Sequence, residues 1–295
     1  MIPIRPFKRE NALRYGAYYV SRLLPYPLLR EGISAAIRGC VNVQQGAVKE
    51  TPSTAVQAAV QTLHSVGMAP LGSLLDATQI DEVLAFLATA PVASGSSRSP
   101  VTAHSQGVSS AAYDLPTILA CPHLLQTMNH PDLLQIAAGF LGCKPTLSGA
   151  GLRWSFADAE GNAASDVQRF HRDTEDWKVL RAFIYLTDVS ADSGPHQFVL
   201  ESHTTPGRFR LKPYTDQTID AQFGRDKVLT VNGPRGTSFV ANMWGVHRGM
   251  PPTAGPRLLF NFTYTMTPTP IYRYDPVKVP DSHLYDAYTN RLLVC

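Results

Sequence analysis

The chain has 295 residues, 44% hydrophobic and 17% charged, which is enough apolar material for a full core and too little charge for a disordered chain. Its net charge of +3 sits at one end: residues 1–40 carry Arg5, Lys8, Arg9, Arg14, Arg22, Arg30 and Arg38 against Glu10 and Glu31. The remainder is slightly acidic, and no basic patch with interleaved aromatics supports nucleic-acid binding; no apolar run is long enough to span a bilayer, and no secretory apolar core is expected.

In chain order, Leu13, Ala17, Val20 and Leu24 recur at helical spacing, and the pattern predicts an amphipathic helix ending near Pro25 and Pro27. Its basic side suits the solvated face of a helix docked on the core ahead of contact with anionic lipid or an anionic substrate carrier. Val56, Val60 and Leu63 predict a second helix, broken at Gly67 to Pro70. Another follows, N-capped by Asp76. From Ser94 to Ser110 the chain is crowded with Ser, Gly and Pro and reads as a loop able to cover a site. Helical pattern returns over Asp132 to Leu141 and stops at Gly142. Strands then dominate to about Thr265, interrupted by an excursion from Thr204 to Asp226, and the Tyr- and Pro-containing C-terminus reads as a wrapping tail.

Helices first and strands later predict an α+β fold whose core is two packed antiparallel sheets, a jelly roll with N-terminal and flanking helices. Cys40, Cys121, Cys143 and Cys295 show no Cys-x-x-Cys pair and no disulfide-framework spacing, which suits a reducing cytoplasm.

The chemistry-bearing pattern is Phe170-His171-Arg172-Asp173, followed far downstream by His247 in Trp-Gly-Val-His-Arg-Gly and then by Arg257. On an extended strand, residues i and i+2 point to one face, so His171 and Asp173 can reach one metal while Arg172 points away. A second His after a further strand completes a facial triad, the ligand set that holds Fe(II) and leaves three positions open. A bare His-x-Asp also describes a surface pair or a structural histidine. The strand before His247 and the strand that Arg257 opens favour the metal.

This ordered set, with Pro131-Asp-Leu-Leu, Ser193-Gly-Pro and Glu201-Ser-His203, resembles the phytanoyl-CoA dioxygenase family of Fe(II)/2-oxoglutarate oxygenases over roughly residues 58 to 268. The resemblance implies that His171, Asp173 and His247 bind iron and that Arg257 takes the distal carboxylate of 2-oxoglutarate, whose two oxygens match a planar guanidinium. It aligns Phe183 with an aromatic lining the cosubstrate and Trp177 with a pocket wall. Many relatives place a hydroxyl two residues after the distal His; here Gly249 stands there, so Thr263 or a water is expected to serve. Glu201 replaces the usual Gly before Ser-His, and His203 reads as structural.

The resemblance implies a basic helical extension over 1–55, an oxygenase domain over 56–270 and a tail of that domain over 271–295. It implies an enzyme that uses Fe(II), 2-oxoglutarate and O2 to hydroxylate a small organic, lipid or saccharide-type substrate, releasing succinate and CO2. The retained Asp173 argues against halogenation. The rivals are a non-catalytic jelly roll binding sugar or lipid, and a cupin-like isomerase or hydrolase using the metal as a Lewis acid. Arg153, Trp154 and Arg181 are candidates for substrate contact.

Overall fold

The computed structural model describes residues 12–46, 52–94, 97–101, 108–157, 168–173, 176–205, 210, 212–270 and 272–295; of residues 12–15, 17 and 97 only the backbone is described. The helices are α1 (Ala12–Leu23), α2 (Pro27–Gln45), α3 (Thr54–Ser65), α4 (Ala77–Thr89), α5 (Leu115–Ala120), α6 (Leu124–Met128), α7 (Pro131–Leu141), α8 (Asp216–Gln222) and α9 (Ala287–Asn290). The strands are β1 (Met68–Leu71), β2 (Val92–Ser94), β3 (Ser97–Ser99), β4 (Ser110–Tyr113), β5 (Thr146–Ser155), β6 (Val179–Tyr185), β7 (His196–Val199), β8 (Val228–Val231), β9 (Ser238–Asn242), β10 (His247–Gly249) and β11 (Arg257–Thr265).

The strands form an eight-stranded sheet in the order β1-β9-β6-β11-β5-β4-β2-β3 and a three-stranded sheet in the order β10-β7-β8, paired antiparallel throughout. This is the expected jelly-roll core with flanking helices. Strand alternation assigns each face of the large sheet its own task. On β6, Leu180, Ala182 and Ile184 enter the larger apolar cluster, whereas Val179, Phe183 and Tyr185 enter a smaller one with Phe198 of β7. On β11, Leu258, Phe260, Phe262 and Tyr264 join the larger cluster, leaving Arg257, Leu259 and Thr263 on the opposite, inner face.

The larger cluster lies beneath the helices. Val56 and Leu63 of α3, Ile80, Val83 and Leu87 of α4, and Leu133, Ile136 and Phe140 of α7 are all buried in it. Ser53 and Asp76 cap α3 and α4, Asp76 through a full capping box with Gln79, and Gly142 ends α7 in the left-handed region (φ 77°).

α1 ends at Leu23, just before Pro25 and Pro27 as expected; Pro27 then stands at the first turn of a further helix, α2, where its missing N–H is no loss. α3 likewise ends at Ser65, before the expected break at Gly67–Pro70, where Met68–Leu71 is β1, paired with β9. One expectation is corrected. The Ser94–Ser110 stretch contains β3 and abuts β2 and β4, so it is in part sheet; residues 95–96 and 102–107 lie outside the described set. The side chains of Leu13 and Ala17 are also outside it, and α1 exposes Tyr19, Val20 and Leu23. The C-terminus does wrap back: Val277 N–H donates to Leu293 O, Cys295 N–H to Val277 O, and Leu293 and Val294 are buried in the larger cluster.

Candidate metal centre

The segment carrying His171 and Asp173 is extended and pinned to β10. His171 N–H donates to His247 O and His247 N–H to His171 O, both at 2.9 Å, and Asp173 N–H donates to Met243 O at 3.0 Å. This pairing sets the two distant stretches side by side. The result is that ligand atoms of His171, Asp173 and His247 all lie within 4.8 Å of one another. His171 Nε2 is 3.5 Å from Asp173 Oδ1 and His247 Nε2 is 3.7 Å from Asp173 Oδ2.

Each imidazole has a fixed orientation. His171 Nδ1 donates to Arg169 O (2.8 Å) and His247 Nδ1 to Gly245 O (3.0 Å); a carbonyl only accepts, so both Nδ1 atoms carry a proton and both Nε2 atoms are turned toward the carboxylate. Burial, reinforced by His171, pushes His247 down to about 3, so this ring is neutral. Burial also disfavours charge on His171, but the hydrogen bond and charge of Asp173 outweigh it and raise its pKa. For Asp173, burial opposes ionisation; the Arg181 guanidinium, assisted by His171 and His247, overcomes that and holds the carboxyl far below its usual range. Arg181 Nη1 donates to Asp173 Oδ2 at 2.9 Å and its Nε to Thr263 Oγ1 at 3.0 Å.

Two neutral-capable nitrogens and one ionised carboxylate, converging and steadied from behind, suit a divalent first-row cation such as Fe(II). Arg172 points the other way, as alternation requires: Nε donates to Tyr214 OH at 3.1 Å and Nη1 to Ser202 O at 2.9 Å and to Trp244 O.

Arg257 lies on the inner face of β11 and is 6% exposed. Nη2 donates to Ser155 Oγ at 3.3 Å, while Nε and Nη1 are buried without an acceptor among the described residues. Thr263 is six residues along the same strand, a separation of ~20 Å at about 3.3 Å per residue. It therefore stands at the Asp173 end of the site and Arg257 at the far end.

The sequence over residues 63–258 matches the family model described as phytanoyl-CoA dioxygenase (PhyH). The chain belongs to the phytanoyl-CoA dioxygenase family. Enzymes of this family depend on iron and 2-oxoglutarate and use O2, and the donor set and the two open N–H positions of Arg257 described above fit those groups. No curated protein matches the chain.

Among solved structures, the α-ketoglutarate-dependent epimerase SnoN from nogalamycin biosynthesis is 20% identical with a TM-score of 0.50, covering 72% of this chain and 82% of its own. EctD from S. alaskensis is 16% identical with a TM-score of 0.51, covering 74% and 79%. HygX from Streptomyces hygroscopicus, with nickel and 2-oxoglutarate bound, is 15% identical with a TM-score of 0.50, covering 77% and 93%. These likenesses are in the fold.

Against the phytanoyl-CoA dioxygenase pattern, the other expected positions divide. Phe183 is on the inner face, its ring 4.9 Å from Phe239 and 4.8 Å from His196. Trp177 is not a pocket wall: its ring lies 5.2 Å from the guanidinium of Arg30, which is clamped on its other side by Trp244 at 5.0 Å. Arg30 is fully buried, donates to Ser21 O (2.7 Å) and Asp176 O, and needs those faces because few acceptors reach it. Thr263 is corrected as the second donor to the distal carboxylate, on the distance just given. Its oxygen instead accepts from Arg181.

His203 is structural as expected, with Nε2 against His64 O at 3.0 Å and its ring in the space a Cβ on Gly67 would take. Glu201 adopts φ 61°, a conformation costing a non-glycine roughly 1–2 kcal/mol. Its N–H donates to Val66 O (2.8 Å) and its carboxylate accepts from Lys227 (2.9 Å), which hold the turn. Of the substrate candidates, Trp154 donates to Tyr113 OH and packs on the helical side, and Arg181 is committed to Asp173; Arg153 is exposed on the inner face.

Sequence reasoning missed His196 and Tyr185. Tyr185 OH accepts from His196 N–H and donates to Val231 O, both at 2.9 Å, tying the two sheets together. The Gly194-Pro195 pair drew attention to the turn and away from the residue after it.

Proposed function

We propose that His171, Asp173 and His247 hold Fe(II), that Arg257 binds the distal carboxylate of 2-oxoglutarate, and that the enzyme hydroxylates an unactivated C–H of a small organic, lipid or saccharide-type substrate. The observation that carries this is the convergence of three ligand atoms within 4.8 Å, with a buried arginine at the far end of the same face whose Nε and Nη1 find no acceptor among the described residues. When bound, iron and the keto acid supply the oxidising chemistry, with O2 consumed and succinate and CO2 released.

The chain's own work is positional. The Nδ1 bonds aim both Nε2 atoms, Arg181 keeps Asp173 ionised and oriented, and Arg257 sets the far end of the keto acid. Phe183 and Phe239 keep water from the space between. The four free cysteines support a reducing cytoplasm.

Turnover is tested by O2 uptake and succinate formation over a metabolite library. Alanine at His171, Asp173 or His247 should abolish both, and Arg257→Ala should raise the 2-oxoglutarate requirement by about two orders of magnitude while sparing metal binding. Full turnover by Asp173→Ala without added chloride would end this assignment. Metal-dependent turnover with no O2 uptake would favour Lewis-acid chemistry instead.

A further inference from the structure

Two buried groups in the site carry nitrogens with no partner among the described residues. Arg257 Nε and Nη1 are one part of this, and His196 Nε2, on an imidazole only 4% exposed, is the other. Burial without a partner is unfavourable for a polar group and more so for a charge, so these nitrogens suit an incoming acceptor.

Strand register brings the two together. His196 on β7 lies directly opposite Gly249 on β10. The adjacent bonds, Met250 N–H to Pro195 O and Val199 N–H to Val246 O, make His196 and Gly249 a non-hydrogen-bonded pair, the closer of the two antiparallel pairings. Gly249 contributes no side chain there, and a Cβ built on it would lie 3.4 Å from Arg257 Nη2. The imidazole and the guanidinium thus border one volume that glycine leaves open.

The His196 ring is fixed at its edge. It lies 4.8 Å from Phe183, 5.3 Å from Phe239 and 5.7 Å from His247, on the same inner face as the triad. A carboxylate is the acceptor that satisfies both groups at once, since its two oxygens can take a guanidinium fork and still accept a further N–H.

We propose that His196, as its Nε2–H tautomer, is the second donor to the distal carboxylate of 2-oxoglutarate, filling with Arg257 the space beside Gly249. This rests on the reading of Arg257 given under Proposed function and deepens it. It makes His196 a selectivity residue for keto acids that carry a second carboxylate.

The test is calorimetric titration of the Ni(II)-loaded protein with 2-oxoglutarate and with 2-oxobutyrate, which keeps the keto acid head and lacks the distal carboxylate. His196→Phe should weaken 2-oxoglutarate about tenfold or more and leave 2-oxobutyrate and Ni(II) affinity within about twofold. Arg257→Met should erase the preference for 2-oxoglutarate. If it does not, the reading of Arg257 fails. If it does while His196→Phe binds 2-oxoglutarate like the parent, only the role of His196 fails. Equal weakening of both keto acids by His196→Phe would also overturn it, by assigning the effect to packing against His247. Should the phenylalanine variant not fold, nitrogen-15 histidine spectra of the unmutated Zn(II)-loaded protein decide. 2-Oxoglutarate should shift the His196 Nε2 resonance and 2-oxobutyrate should not; identical shifts would refute the proposal.

Discussion

Asp173 and Asp176 stand three residues apart and both carboxyls are shielded from water, yet they are driven in opposite directions. Asp173, on the inner side, faces Arg181 at 2.9 Å and is held ionised against its burial. Asp176 is 2% exposed and accepts from Met266 N–H (3.3 Å) and Thr267 Oγ1 (3.2 Å); burial outweighs these neutral donors and pushes its carboxyl up to about 6. Burial alone therefore does not decide charge. A cationic fork placed on the carboxylate does, and the chain spends one where a metal would need an anion.

The largest expected effect on this contrast comes from removing that fork. Arg181→Met should destabilise the metal-free protein by about 3 kcal/mol at pH 7.5 in urea unfolding, because it strands a shielded carboxylate. The folded pKa of Asp173 is depressed, so its stabilising contribution is present above the unfolded value near 3.9 and is lost as pH falls. That loss falls below pH ~4, so between about pH 4 and pH 2.5 the variant should lose less stability than the parent does. A parent-like acid profile would show that Arg181 is not what keeps Asp173 charged.

Asp176 carries the opposite sign. Its folded pKa lies above the unfolded one, so its contribution is full below pH ~4 and is lost as pH rises through about 6. Asp176→Asn stays neutral at every pH, and its stability change between pH 4.5 and 7.5 should lack a decline of about 2–3 kcal/mol that the parent shows. Superimposable profiles would remove the contrast between the two aspartates.

The smallest effect belongs to the helical layer. Asp76→Ala deletes the capping box of α4 and should cost about 1 kcal/mol, with Ni(II) and 2-oxoglutarate affinity unchanged. Altered ligand affinity in that variant would mean that the two faces of the large sheet are not independent.

What was legible in the sequence follows from the range of each signal. His171-x-Asp173, His247 and Arg257 stood out because strand alternation and residue chemistry are local, and Asp76 and Gly142 marked helix ends for the same reason. Trp177 was misplaced because its environment is made by Arg30, in a helix whose opening Pro27 read as a stop. Thr263 was assigned to the wrong end of the site because its distance from Arg257 becomes plain only when both lie on one continuous strand. His196 had no pattern at all; its meaning depends on the register between β7 and β10.

The reciprocal amide bonds between His171 and His247 carry one more implication. Two of the three donors are joined through the main chain before any ion arrives, so capture of the cation draws little on backbone ordering, a cost already met when the polypeptide folded. Exchange of one divalent ion for another should then leave amide protection around these two histidines nearly constant. Differences in affinity between metals would report their bonding preferences and little rearrangement of the host.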